Sequence, residues 1–231
     1  MYPTLARRIP VVLFALPFCL LIASLFPPTL WTEGVLASGV VVLGIGFFLS
    51  ELGRDLGYKK QPALWRSWGG APTMQMLRHR NPLLDPATRL RYHTKLATRL
   101  AVKLPTSDEE ELDPDAADAV YDSCVKHLLE HTRDKEKFPL VLQENISYGF
   151  RRNLWGMKPA GILLSLIGTA GCGTIVAYRW TNSGELPSIP CAGVLLSALF
   201  LSLWIFRIKP DWVRLGAEAY AKRLLASCEV L

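Results

Sequence analysis

Four stretches without a charged residue decide what this chain can be. They run from Ile9 to Trp31, Gly34 to Ser50, Pro159 to Tyr178 and Leu186 to Phe206, and contain 23, 17, 20 and 21 residues. A helix needs about 20 predominantly apolar residues, within a range of about 17–25, to cross the hydrocarbon core of a bilayer. The stretches therefore predict an all-α membrane protein with four transmembrane helices, at about 9–31, 34–50, 159–178 and 186–206. The second is the shortest. Such a pattern excludes a soluble enzyme. It also excludes a secreted disulfide scaffold, because Cys19, Cys124, Cys172, Cys191 and Cys228 show no paired spacing. Arg7 and Arg8 precede the first stretch as they would in a signal peptide. The stretch is longer than an h-region of about 7–15 residues and no small-x-small site follows it, so it is expected to stay as a span.

Charge assigns the sides. The chain has 26 Lys and Arg against 20 Asp and Glu, a net +6. That excess does not by itself point to nucleic acid, since membrane proteins keep cationic loops in the cytoplasm. Only Glu33 separates the first two stretches, and only Arg179 and Glu185 separate the last two, whereas Glu51 to Lys158 carries 18 basic residues. Both termini and the long central segment are thus expected on the cytoplasmic side of a bacterial inner membrane. The domains follow: spans one and two in residues 1–50, a helical cytosolic insert in 51–157, spans three and four in 158–206, and an amphipathic tail in 207–231.

The insert has two electrical halves, net +8 from Glu51 to Pro105 and net −8 from Thr106 to Asn145. They either attract each other or serve different surfaces. Asp85-Pro86 and Asp113-Pro114 each read as an N-cap followed by Pro at the first helical position. The first opens a helix with Leu90, Leu96 and Leu100 on one face. The second opens a helix whose stripe is Val120, Cys124, His127, Leu128 and His131. Gly69-Gly70-Ala71-Pro72 is a turn, and Pro139 begins a helix running towards the third span. The acidic run Asp108 to Glu111 reads as a solvated loop. The tail from Asp211 to Leu231 could lie on the membrane or pack within an assembly.

No span contains Asp, Glu, Lys, Arg or His. Ionisable groups in spans mark proton relays and ion pathways, so their absence argues against a proton-coupled transporter or an embedded metalloenzyme. Small residues abound in the second stretch (Gly34, Ala37, Ser38, Gly39, Gly44, Gly46) and the third (Gly161, Ser165, Gly168, Ala170, Gly171, Gly173). They allow close helix approach, within one bundle or between subunits around a pore. Pro17 predicts a kink in the first span. Glu51 and Asp55 follow the second span four residues apart, on one helical face. Repeated around an oligomer they would form an acidic ring favouring cations; alone they are a solvated helix end.

Catalytic patterns are missing. Cys124, His127 and His131 share a helix face and are the only metal candidates, but no fourth ligand and no HExxH glutamate accompany them. Arg89-Leu90-Arg91-Tyr92-His93 lacks the Arg-to-His spacing of HEPN RNases. There is no Walker or GxGxxG motif and no nucleophile elbow. No enzyme activity and no cofactor are expected. A basic, aromatic-interleaved surface remains, with Trp68, Arg78, Arg80, Arg89, Arg91, Arg151 and Arg152 as ligand candidates. Arginines hold phosphates and aromatic rings stack bases, as an oligonucleotide requires, while Asn145 or Asn153 could read an adenine edge. Arg151, Arg152 and Trp155 abut a span and equally suit anionic lipid.

Three segments carry a resemblance: Leu64-Trp65-Arg66-Ser67-Trp68-Gly69-Gly70-Ala71-Pro72-Thr73, Leu77-Arg78-His79-Arg80 and Tyr148-Gly149-Phe150-Arg151-Arg152-Asn153. With the spans-plus-basic-insert layout of the whole chain, they resemble bacterial anti-phage defence membrane proteins, in particular the membrane effector of Hailong systems. The resemblance implies a homotetrameric ion channel controlled by a single-stranded oligodeoxyadenylate, which a partner nucleotidyltransferase makes. It carries over no individual binding residue. The expected function is a homo-oligomeric channel gated by a nucleotide or oligonucleotide ligand; the alternative is a non-conducting membrane adaptor that docks a cytosolic protein.

Overall fold

The computed structural model of the protein describes residues 4–26 and 35–231, with only the backbone described at 4 and 35–43. Glu33 and Gly34 lie outside the described residues, as do the side chains of Ala37, Ser38 and Gly39. Among the described residues the chain is all-helical, 84% helix, without strands. The helices are α1 (Ile9–Leu25), α2 (Val35–Trp68), α3 (Pro72–Leu77), α4 (Pro86–Leu100), α5 (Ser107–Leu112), α6 (Pro114–His131), α7 (Pro139–Ser183), α8 (Ser188–Ser202) and α9 (Pro210–Ala226). A wider π turn, Thr4–Arg8, leads into α1, and another, Leu203–Arg207, extends α8. Among the described residues three helices are long and apolar enough to cross a membrane: Leu5–Leu25, Pro139–Ser183 and Ser188–Arg207.

The first of these begins earlier than the expected 9–31, whose residues 27–31 lie outside the described residues. Its helix ends at Leu25 because Phe26, which precedes Pro27, takes an extended conformation (φ −110°, ψ 135°). The proline ring disfavours the helical region for the residue before it. The second uncharged stretch has no boundary of its own, since α2 runs on from Val35 to Trp68. Likewise the helix expected at Pro139 and the third span are one element of 45 residues, with Pro159 inside it.

The chain divides into two compact units, residues 1–60 with 149–213, and residues 61–148 with 214–231. The first is a bundle of apolar helices in which α1 packs along α8. Glycines set its spacing. A Cβ on Gly156 of α7 would sit 2.5 Å from the backbone nitrogen of Gly57 on α2, so the two backbones touch. A Cβ on Gly161 would enter the Trp204 ring at 2.4 Å, and one on Gly171 would meet Leu21 at 2.6 Å. Gly168 lies against Ser197 and the Pro17 carbonyl. The small-residue face of α7 is thus spent on contacts within the chain. Among the described residues nothing lies within 4 Å of a Cβ built on Gly44, Gly46 or Gly173.

Pro159 removes the amide that would bond the Trp155 carbonyl. Lys60 Nζ donates to that oxygen at 3.4 Å instead. Lys158 Nζ donates to the Ile205 and Ile208 carbonyls at the end of the α8 segment, at 3.3 and 2.7 Å. The Trp155 ring has Lys60 and Lys158 at 5.6 and 5.4 Å from its centre.

The second unit has a conventional apolar core of Met76, Leu77, Leu96, Tyr121, Leu128, Leu224 and Leu225 with their neighbours. Its helix starts are those the sequence signals. Asp85 accepts from the Thr88 amide at 2.8 Å and Asp113 from the Ala116 amide at 3.0 Å. The Gly69-Gly70 turn uses positive φ values of 84° and 131°, which glycine adopts without steric cost. Two faces are rotated from expectation. In α4 the buried residues are Arg89, Tyr92, His93 and Leu96, while Leu90 is exposed. In α6 they are Ala117, Tyr121, Cys124, Val125 and Leu128. The acidic run is helix α5 rather than a loop. Thr106 and Glu109 form a reciprocal capping box, and Glu110 is 2% exposed. The tail packs into the core of this unit through Ala221, Leu224, Leu225 and Cys228.

The Gly156 contact makes a contrast available. Overpacking a tight site costs about 1–3 kcal/mol. Gly156→Ala should lower the unfolding temperature of the detergent-solubilised protein, while Gly173→Ala should leave it unchanged.

Candidate functional site

The sequence candidates fall into both units. Trp68, Arg78, Arg80, Arg89 and Arg91 belong to the second, and Glu51, Asp55, Arg151 and Arg152 to the first.

In the second unit two of the four candidate cations, Arg78 and Arg89, serve the chain itself. Arg78 leaves the end of α3 and forms a fork on Asp118 of α6, Nε to Oδ1 at 2.7 Å and Nη2 to Oδ2 at 2.5 Å. Its remaining nitrogen donates to the Gly69 carbonyl at 2.9 Å, fastening the glycine turn. Arg89 is 7% exposed. It donates to three carbonyls of the segment between α3 and α4, those of His79, Asn81 and Leu84. A guanidinium has five donors in a rigid plane, which suits one side chain to gather several carbonyls of an irregular segment. Trp68 is buried, so its faces are not open to a base.

Arg80 and Arg91 differ. Arg80 is 54% exposed and only 3.7 Å from Glu110, and Arg91 is 59% exposed and pairs with Glu229 at 3.0 Å. The Arg91 pair is exposed on both sides and contributes about 0–1 kcal/mol, so Arg91 can exchange partners at little cost; Arg80 keeps an exposed guanidinium although its partner Glu110 is buried. They are the two sequence-predicted cations of this unit that remain open to a ligand.

Sequence reasoning missed the polar centre beneath them. The buried Glu110 carboxylate accepts the His79 amide at 2.8 Å and the Tyr121 hydroxyl at 2.9 Å. The His79 ring bonds the Pro105 carbonyl and meets the His93 ring edge-on at 5.0 Å. His93, also buried, bonds the Leu77 carbonyl at 2.8 Å. Burial holds His93 below the ordinary imidazole range, more than the Leu77 bond raises it, and His79 and Arg89 push in the same direction as burial. Burial and the Glu110 charge raise the Tyr121 hydroxyl, so it stays a donor. The available signal was the Thr106-to-Glu109 capping pattern, which predicts a helix where composition suggests a solvated loop.

The metal candidates do not converge. Cys124 lies in the apolar core, where burial raises its thiol. His127 and His131 stack on each other at 4.0 Å, with Arg99 Nε 3.3 Å from the His127 ring. Among the described residues no group of three or more His, Cys, Asp or Glu is placed to hold a metal ion. The buried face of α6 runs through 117, 121, 124, 125 and 128, and His127 and His131 lie outside it.

In the first unit the expected acidic mouth is compensated. Glu51 pairs with Arg7 at 3.0 Å and with Arg54 at 2.9 Å. Arg54 also lies 3.4 Å from Asp55, whose side chain is 56% exposed. Arg152 is buried, with its guanidinium 3.7 Å from the centre of the Tyr58 ring. Arg151 lies over the Trp212 ring and donates to the Trp212 carbonyl at 3.1 Å. Asn153 is buried and donates to the Ala6 carbonyl at 2.8 Å, so its amide tightens the bundle.

Compared with known proteins, the chain matches no family, no curated protein and no solved structure.

The buried imidazole gives the second unit a pH dependence. His93 takes up a proton more readily in the unfolded chain, so its stabilising contribution is complete above about pH 6.5 and declines as pH falls below that value. The unfolding temperature should be lower at pH 5.5 than at pH 7.5, and His93→Gln should shrink the difference. An equal drop in the variant would assign the acid sensitivity to other groups.

Proposed function

We propose that this chain is a homo-oligomeric ion channel of the bacterial inner membrane, opened or held shut by a nucleotide or single-stranded oligonucleotide on its cytosolic residues, in the manner of an anti-phage defence effector. The reading takes α2 as a fourth span through residues 35–50, places both termini in the cytoplasm, and treats 51–157 as the cytosolic insert. It needs no cofactor and no chemical step. A nucleotidyltransferase would supply the ligand and a tetramer would form the pore, as the Hailong resemblance implies. The observation that carries it is the combination of three helices able to cross a membrane with open guanidinium groups on Arg80 and Arg91. A ligand gates such a channel by binding one state more tightly than the other. Asp55 is the better candidate for the acidic mouth, because Arg7 and Arg54 both neutralise Glu51.

One observation favours the adaptor reading. Arg78 and Arg89 are consumed within the second unit, which leaves a sparser cationic surface than the sequence suggests and suits protein docking.

Ion flux through liposomes containing the purified protein separates the two. A channel should respond to short single-stranded oligodeoxyadenylates, and Arg80→Gln with Arg91→Gln should remove the response. Asp55→Asn should reduce preference for cations. Membranes that stay tight under every condition, with a verified oligomer, would overturn the channel and leave the adaptor.

A further inference from the structure

The first unit contains an apolar cavity of about 180 Å³ between α1, α7 and the α8 segment. Leu13, Leu154, Phe200 and Leu203 line it, and Trp204, Arg207 and Trp212 complete its wall. One feature separates it from an ordinary packing gap, a cationic edge. Arg207 lines the cavity and lies 5.2 Å from the centre of the Trp212 ring, which Arg151 also covers at 5.3 Å. Among the described residues, no salt bridge reaches Arg207, Lys209 or Lys158.

Position decides the ligand. Arg207 is the first charge after the uncharged run Leu186 to Phe206, and Lys158 is the last before the run Pro159 to Tyr178. Lys158 bonds the Ile208 carbonyl directly, so these residues lie at one level. A charge at the end of a spanning helix sits at the depth of lipid headgroups. An apolar cavity below and exposed cations at headgroup depth match the two parts of one molecule, an acyl chain and an anionic headgroup.

We propose that this cavity holds an acyl chain of an anionic phospholipid, with the phosphate on Arg207 and Lys209. No bond is made or broken. The site depends on the membrane location of the first unit and not on conduction.

The test uses the full chain in phosphatidylcholine nanodiscs containing a minority of phosphatidylglycerol. After extraction into detergent, native mass spectrometry counts the retained lipids. Retention of phosphatidylglycerol over phosphatidylcholine is expected. Each basic residue near an anionic surface contributes a factor of about five to binding, so Arg207→Gln should reduce retention about fivefold. Both Arg207 and Lys209 are exposed, so neither substitution threatens the fold. Lys209→Gln should act in the same direction, while Lys126→Gln, which removes an equal charge from the second unit, should change nothing. Leu203→Trp, filling the cavity, should reduce retention with every cation intact. Equal retention of the two lipids would overturn the proposal. So would displacement of the lipid by glycerol 3-phosphate, which has the phosphate and no chain.

Discussion

Helices α2 and α7 of the first unit approach until backbone meets backbone, because neither Gly57 nor Gly156 carries a side chain. Much of the local architecture is arranged around that crossing. A Cβ on Gly57 would fall against Asn153 and the Arg152 carbonyl. With the backbones this close, Asn153 can reach Ala6, Arg152 can lie on Tyr58, and Lys60 can reach the Trp155 carbonyl that Pro159 leaves without an amide. Small residues on both helices are what let the backbones pack this closely.

The second unit rests on a different balance. Its core is apolar, yet a carboxylate, two imidazoles and a guanidinium lie within or beside it. Glu110 and Arg89 act on backbone groups: the carboxylate on the His79 amide, the guanidinium on three carbonyls. The segment between α3 and α4 has no helical hydrogen bonds of its own to satisfy those groups. Buried polar groups of this kind are stable only when each finds a partner. An arginine-rich stretch thus has two possible uses, recognition of a ligand or satisfaction of an irregular backbone. Here the same stretch contains both, Arg89 inside and Arg80 at the surface.

The reach of the sequence follows from which signals are local. Asp-Pro starts and the Gly-Gly turn are set by neighbouring residues, and the structure has them where the sequence puts them, while of the four uncharged runs three overlap helices able to cross a membrane among the described residues. Facing was harder. Leu90 belongs to an apolar set by spacing, yet α4 buries Arg89 and His93, because the carbonyls they serve come from the preceding segment and the end of α3. Asp108 to Glu111 looks solvated by composition, yet Glu110 turns inward because Tyr121 and the His79 amide converge on it. Glu51 looks like a free acidic group until Arg7, 44 residues away, folds onto it. An arginine near aromatic rings reads the same in the sequence whether its guanidinium faces solvent, as in Arg80, or backbone carbonyls, as in Arg89.

The fork between Arg78 and Asp118 has a consequence for how this chain can change over evolutionary time. Losing either partner strands a half-buried charge, and losing Arg78 also removes the bond to the Gly69 carbonyl, whereas removing both together leaves no isolated charge behind. The two positions, 40 residues apart, are therefore bound to drift as a pair. An Arg78 substitution should become tolerable in lineages that have already neutralised Asp118, so the order of the two changes matters.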